Sequence, residues 1–596
     1  MSSRSRSSRQ RRRRRRNFRR FALVIVLAGF AVAVVGALAA PNLFSGRRDL
    51  LQVRADLSAA RQALAQRDDA GAQAHLDSAA ARLAHAGTSA SALSLRLIRP
   101  IPLVGSPARA LSAAVEAGSE GLAAGRVIAD ASSSFPTSAS TTVDGHDLAA
   151  FHQAATRSET AVADAGRHLD AASTRLAGPA NAVLPPIHRA AREMRAEIDD
   201  GRRQLAGLTR GLTLLRDLTG PDTEARLLLL SQDTLELRPT GGYIGSYGVL
   251  HFSRGTARLE RYEATDALPP PSPPLPTPAG LSSYLYTPWQ LSNANWFPDF
   301  PTTAEAAAEL YKRQGGGEVD GVLALTELAT ARLIGALGSL KLPSYPEPVV
   351  EAGFELRVLH EIELKVPLDV PRKKFLIEMA DVLFARLFDL PAERLPGVAD
   401  ALKRSIGGGD VQLWFRDPAR QHLVAGTEAA GALPTNPGDF LMVVDANMTG
   451  SKANLETVKQ VDYSVERRPD ARLVAHLRVE IRNQGAANDL NPLYNSYLRI
   501  YAPAGSVLLN RAFPTRHLGR DGPFEVFAHP LVVRPESQES MTLDYLLPTS
   551  VAPGNEYNLT WVRQVGTGRD VFNVTAGGRT AQLGSERREA SFAVQL

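Results

Sequence analysis

The spacing of hydrophobic positions changes three times along the chain. Phe21 to Ala40 is a run of twenty residues without a charge, FALVIVLAGFAVAVVGALAA. As a helix rising ~1.5 Å per residue it is about 30 Å long, the thickness of a bilayer core, so it predicts a transmembrane helix. From 45 to 218 the apolar positions fall on one helical face: Leu50, Val53, Leu57, Ala60 and Leu64, then Met194, Ile198, Leu205, Leu208, Leu212 and Leu215. Such offsets predict an α-helical stalk or bundle. Pro100, Pro102 and Pro107, the stretch Ser132 to Thr142, and Pro185-Pro186 divide it.

At Pro221 the pattern becomes mixed. Arg226 to Leu230, Tyr243 to Phe252, Ala257 to Tyr262, Val319 to Leu325, Val411 to Phe415 and Phe440 to Val444 read as strands. Thr303 to Gln314, Glu327 to Leu337, Lys373 to Phe388 and Ala392 to Ser405 read as helices. This alternation predicts a central α/β layered domain over 221–450. The run Pro269 to Pro278 predicts an extended, solvent-facing loop. Beyond Lys452 helical spacing ceases. Leu473, Ala475, Leu477, Val479 and Ile481 alternate strictly, and short strand patterns recur between Gly, Pro and Asn. Residues 455–596 thus predict a C-terminal antiparallel β-sandwich. The expected fold class is α+β multi-domain: N-terminal transmembrane helix, helical stalk or bundle, central α/β domain and β-sandwich.

Charge changes the picture in one place. The chain of 596 residues carries 68 Lys and Arg against 62 Asp and Glu, a net +6. Eleven of the Arg lie in residues 1–20, which hold no acid; the rest balances 57 bases against 62 acids. The basic excess therefore belongs to a tail, which predicts a cytoplasmic N-terminus and an extracytoplasmic bulk. Ala37-Leu38-Ala39 has the small residues of a cleavage site, but a run of twenty is longer than a usual signal segment and favours an uncleaved anchor. No nucleic-acid partner is expected. With no Cys there is no disulfide, Cys-ligated metal or thiol nucleophile.

Three segments carry candidate chemistry. Ser231 to Gly248 places Asp233, Glu236, Arg238, Gly241 and Gly242 after a buried strand. Glycine N–H groups and an Arg fork suit phosphate, so Arg238, Gly241 and Gly242 are candidate phosphate ligands; a glycine-rich hairpin with a buried Glu–Arg pair is the purely structural alternative. Ser292 to Pro301 places Asn293, Asn295 and Asp299 within seven residues. With Asp233 and Glu236 these are hard oxygen ligands suited to Mg²⁺; a helix cap with packed aromatics is the alternative. Val444 to Asn454 adds Asp445, Asn447 and Lys452, the last a further candidate phosphate ligand. No nucleophile motif assigns a catalytic residue.

Taken together these segments are identified as those of a bacterial envelope family, domain of unknown function 4012. The resemblance rests on E-x-R-P-T-G-G-x-I-G at Glu236 to Gly245, Asn-x-Asn-Trp-x-Pro-Asp-Phe-Pro at 293–301, Val-Asp-Gly-Val at 319–322, Asp-Ala-Asn…Lys at 445–452, Ile-Pro-Leu-Val-Gly at 101–105 and the basic tail with its apolar run. That family implies kinship and no defined activity. A looser, fold-level likeness is to LytR–CpsA–Psr enzymes, which move glycopolymers from polyprenyl-pyrophosphate carriers. It lies in the order Leu227 to Asp233, Arg238, Tyr243 to Phe252 and the later run 293–338; the Arg-Ser-Asp triplet of those enzymes is absent.

Two functional expectations follow. One is a membrane-anchored cell-envelope protein that binds or transfers a polyprenyl-pyrophosphate-linked cell-wall glycopolymer, with membrane lipid met through 21–40. In it the loop 296–300 and helix 373–388 border a lipid tail. The other is a non-catalytic surface protein whose α/β and β-sandwich modules bind glycan or protein.

Overall fold

The computed structural model describes residues 39–596, apart from 65, 67, 102–104, 134–139, 143–144, 181–184, 285–287, 365–372, 391–393, 436–437, 510–514 and 585. The chain forms two compact units, 1–136 with 153–216, and 137–152 with 217–596.

The first unit is helical over its described residues. It contains α1 (39–64), α2 (Asp69–Ala90), α3 (Leu93–Ile98), α4 (Ser106–Ser133) and most of α5 (Ala149–Ala180) and α6 (Pro185–Leu218). Leu50, Val53 and Ala60 of α1 meet Leu76, Ala79 and Leu83 of α2 and Leu111 of α4 in one buried cluster. Ala124, Val162, Ala165, Leu205 and Leu212 form another. Asp68 caps α2 by accepting from Gly71 N at 2.8 Å. Pro185 starts α6, where a missing N–H costs nothing.

The second unit holds three sheets. The central one has seven strands, β1 (Ser140–Thr142), β2 (Gly145–Asp147), β3 (Glu224–Asp233), β4 (Tyr243–Ser253), β5 (Thr256–Ala264), β6 (Gly321–Thr326) and β7 (Val411–Phe415), in the order β1-β2-β5-β4-β3-β6-β7. Arg254 and Gly255, with φ of 47° and 78°, make the tight turn joining β4 to β5. Helices α7 (Phe300–Arg313) and α8 (Glu327–Leu337) flank β6 in sequence. Further helices are α9 (Phe354–Leu359), α10 (Lys374–Phe388), α11 (Leu395–Gly408) and α12 (Pro418–Val424).

The remaining strands are β8 (Asp439–Asn447), β9 (Thr457–Arg467), β10 (Leu473–Asn483), β11 (Tyr494–Pro503), β12 (Val507–Leu508), β13 (Arg516–Asp521), β14 (Phe524–Val533), β15 (Ser537–Leu546), β16 (Glu556–Val562), β17 (Val571–Ala576), β18 (Arg579–Leu583) and β19 (Glu589–Gln595). They form two six-stranded sheets, β12-β15-β10-β9-β17-β18 and β13-β14-β11-β8-β16-β19. Tyr463, Leu477, Val479, Leu498, Ile500, Leu543 and Trp561 share their common core. Within it the Trp561 and Phe572 rings stack at 4.0 Å.

The expected fold class is corrected at three points. Among the described residues no helix is long and apolar enough to cross a membrane. The tail 1–20 and the expected span 21–40 lie outside the described residues, except for Ala39 and Ala40, which belong to the described part of α1. The central sheet does not follow from a simple alternation of strand and helix. It is antiparallel apart from the β3–β6 pair, because hairpins rather than helical crossovers join β3, β4 and β5. The C-terminal region is not wholly antiparallel either. Strand β17 runs parallel to β9, and β16 parallel to β8, so Phe440 to Val444 is a sandwich strand rather than one of the central sheet. These partners are more than a hundred residues apart, and local alternation carries no trace of them.

Candidate functional site

The three segments with candidate chemistry meet where β3 ends and its loop returns to β4. Only glycine fits the return. A Cβ on Gly242 would sit 1.9 Å from the Asp233 carbonyl oxygen, and Gly241 holds φ at +146°. The Gln232 Oε1 accepts from Thr240 Oγ1 (2.9 Å), Gly242 N (3.3 Å) and Asn295 Nδ2 (3.0 Å). Asn295 Nδ2 also donates to the Gly242 carbonyl at 2.7 Å. The Gly241 N–H donates to the Arg238 carbonyl at 3.0 Å. Both glycine N–H groups are thus used within the loop.

Arg238 is buried, and its fork is used inside the protein as well. It donates Nη2 to Glu236 Oε1 (3.0 Å), Nε to Asn293 Oδ1 (3.2 Å), and Nη1 to the Asn447 (2.5 Å) and Leu237 (3.1 Å) carbonyls. One guanidinium thus ties the β3–β4 loop, the 293–301 loop and the end of β8. Asp299 sits apart as the cap of α7. Its Oδ2 accepts from Thr302 N (3.2 Å) and Oγ1 (2.8 Å), and its Oδ1 from Leu433 N (3.0 Å). Trp296 is packed against Arg499, whose Cζ lies 4.1 Å from the ring, and against Tyr497.

Lys452 leads out of this buried network to open space. Its Nζ lies 2.5 Å from Asp233 Oδ2 and 3.6 Å from Glu236 Oε2. Glu236 therefore bridges Arg238 and Lys452. Asp233, Glu236 and Lys452 form part of the wall of a cavity of about 700 Å³. Its walls differ in character. Phe354 and Val358 of α9, Ile362 just beyond, and Leu376, Ile377 and Met379 of α10 make one wall apolar. The rest is mostly polar: Ser231, Thr326 and Thr330, with Lys373 and Lys452 among the carboxyls of Asp233, Glu236, Asp266, Glu327, Glu363 and Asp489. Lys373, at the start of α10, donates Nζ to the Gly245 carbonyl.

The low-dielectric surroundings move the ionisable groups. Burial, aided by the Asp233 and Glu355 charges, pushes the Glu327 carboxyl well above the usual range. Burial raises Glu236 too, against the pull of Arg238 and Lys452. For Lys373 burial outweighs Asp266 and Asp233 and lowers the ammonium. For Lys452 burial works the same way, but Asp233 and Glu236 outweigh it and the ammonium is pushed up.

The structure thus brings Asp233, Glu236 and Lys452 to the cavity. It places Arg238, Gly241, Gly242, Asn293 and Asn295 in the adjoining buried network, and Asp299 at a helix cap. Among the described residues no group of three or more His, Asp and Glu side chains could hold a metal ion. Sequence reasoning overlooked Glu327, Lys373 and the apolar wall from α9. The position of Glu327, directly after strand β6, was a usable signal, since ligands collect at strand ends. Lys373 had none.

Residues 222–360 match a family model whose description is "Protein of unknown function (DUF4012)". The match covers β3 to β6, α7, α8 and α9, and so most of this site. No curated protein and no solved structure matches the chain. The likeness to LytR–CpsA–Psr enzymes finds no support in these comparisons.

Proposed function

With residues 222–360 belonging to the DUF4012 family, we propose that the central module binds an amphiphile of the cell envelope. Its hydrocarbon chain lies along α9 and α10, and its head faces Lys452, Lys373 and the hydroxyls opposite. The best-fitting class is a polyprenyl-pyrophosphate-linked glycan, which has a long apolar chain and a hydroxyl-rich anionic head. The observation that carries this reading is the unlike pair of walls around one cavity of about 700 Å³. A cavity that size suits a drug-sized ligand or one section of a longer chain. Six apolar side chains on one wall, each contributing ~1 kcal/mol or more on full desolvation, favour hydrocarbon there. Lys452 and Arg238 together offset the charges of Asp233 and Glu236, so that no bare carboxylate pair is left at the head position. An envelope location is supported by the eleven Arg of residues 1–20 and the twenty uncharged residues that follow.

The test uses the full chain in mixed micelles with a polyprenyl pyrophosphate, with and without Mg²⁺. Affinity is compared between wild type, Ile377→Glu and Lys452→Met. Weaker binding in both variants supports the reading. Unchanged binding in both, or none in wild type, removes it.

A second reading has its own observation. On the outer face of one sandwich sheet Asp462, Ser464, His476, Arg478, Thr542 and Asn573 line an open depression of about 440 Å³. A polar, shallow face of this kind suits a glycan; Asp462→Ala in the full chain should then weaken glycan binding and leave polyprenyl-pyrophosphate binding unchanged.

A further inference from the structure

A second cavity, about 480 Å³ in volume, lies where the loop after β16 faces α8 and the start of β9. It shares no lining residue with the amphiphile cavity. Its cations are unevenly paired. Arg332 Nη1 lies 2.8 Å from Asp410 Oδ2, and Lys459 Nζ lies 3.1 Å from Asp570 Oδ2. Arg563 has no such partner. It is only 5% exposed, and among the described residues no carboxylate approaches within 4.0 Å of it. Its donors go to backbone alone, Nη1 to the Gln564 carbonyl and Nη2 to the Gly408 carbonyl, each at 2.9 Å. Its Nε is buried without a hydrogen-bond partner. A guanidinium has five N–H groups, so most of this fork remains available.

A buried cation without a contact ion pair is poorly compensated: backbone carbonyls do not neutralise it, and Asp410 and Asp570 act on it only from beyond 4.0 Å. Burial lowers the Arg563 pKa in spite of Asp410 and Asp570, in line with an unmet charge. A second guanidinium stands at the same cavity. Arg569 Nη2 donates to the Asn454 (3.0 Å) and Thr457 (3.4 Å) carbonyls; among the described residues no carboxylate lies within 4.0 Å of it, and Glu355 of the same cavity feels its charge from farther off. The loop carrying both is held in place by Gly566. That residue has φ of +85°, and a Cβ there would sit 2.5 Å from the Gly241 carbonyl oxygen. Gly566 therefore packs the loop that carries Arg563 and Arg569 against the same β3–β4 loop that forms the first site.

We propose that this cavity is a binding site for an oxyanion, a carboxylate or phosphate group, held by the Arg563 fork together with Arg569. The Nη N–H groups that are not spent on carbonyls match the oxygens of either group. The volume leaves room for a sugar-sized body bearing it.

The experiment follows thermal unfolding and calorimetric titration of the full chain with sodium phosphate, and separately with sodium acetate. Sodium chloride at matched ionic strength is the control. Wild type should show a saturable rise in melting temperature with at least one oxyanion and none with chloride. The oxyanion that acts assigns the class. Arg563→Gln should weaken that binding at least tenfold, and Arg569→Gln several-fold. Should Arg563→Gln fail to fold, the more exposed Arg569→Gln carries the test. Absence of a saturable effect in wild type, or unchanged affinity in a folded variant of either arginine, would overturn the proposal.

Discussion

Lys452 Nζ stands 2.5 Å from Asp233 Oδ2 and 3.6 Å from Glu236 Oε2, so one ammonium from beyond β8 holds two carboxylates from the loop after β3. All three side chains are largely buried. Lys452→Met should leave two acids facing each other and lower stability by about 2–4 kcal/mol at neutral pH. Burial already raises Glu236. A carboxyl raised in the folded state is most favourable below its ordinary range, and that advantage disappears as pH rises through the folded value. The deficit of the variant should therefore shrink on acidification. Urea unfolding of both proteins at pH 7 and pH 5 measures it; a deficit that grows at pH 5 would contradict the assignment.

Arg238 is the harder residue to lose. Arg238→Ala removes a buried fork and leaves Glu236, Asn293 and the Asn447 carbonyl without their donor. The expected loss is about 3–5 kcal/mol. Arg238→Lys should recover little, since one ammonium cannot reach three directions as the planar fork does. Loss of ligand binding in a folded Arg238→Ala protein with wild-type stability would show that the fork faces a ligand instead.

Glycine in this loop is a matter of space. Gly242→Ala places a Cβ 1.9 Å from the Asp233 carbonyl oxygen, so the loop must open and the protein should lose several kcal/mol, ~3 or more. Gly211→Ala in α6 meets nothing within 4 Å and should instead stabilise by about 0.5–1 kcal/mol. Equal effects from the two substitutions in thermal unfolding would argue against the loop geometry.

How much of this was legible beforehand depends on range. The α8 bounds, Glu327–Leu337, coincide with the helix that the apolar spacing predicts, because Thr326 caps it and Gly338 ends it locally. The three site segments were also visible as unusual runs. Their roles were not. Arg238 and Lys452 are both basic residues in polar turns. One is enclosed and the other reaches a cavity because of contacts with residues 293 and 447, and 233 and 236, across more than fifty and two hundred positions of chain. The sheet partners of Phe440 to Val444 are of the same kind. Helix α10 was expected beside a lipid tail together with the 296–300 aromatics; α10 lines the cavity, whereas Trp296 turns inward to Tyr497 and Arg499.

The sandwich carries its own titration. Asp439 Oδ2 accepts from Tyr463 (2.7 Å) and Tyr557 (2.5 Å) in full burial. Burial pushes its carboxyl up to about 6 despite these hydrogen bonds. The folded state therefore holds this proton more tightly than the unfolded chain. The stabilising contribution is complete below the ordinary Asp value and is lost as pH rises through about 6. Relative to Asp439→Asn, wild type should lose roughly 3 kcal/mol between pH 4 and pH 7. Parallel unfolding series of the two proteins check this, and identical pH profiles would contradict it.

The central claim, that hydrocarbon lies along α9 and α10, is tested most directly by photocrosslinking. The full chain would be irradiated with a polyprenyl pyrophosphate bearing a diazirine on its chain, digested, and its labelled peptides identified. The account predicts label within residues 354–362 and 374–388, lost when excess unlabelled lipid is present and reduced in Ile377→Glu. Label confined to other segments, or label on these two that excess lipid does not displace, would contradict it.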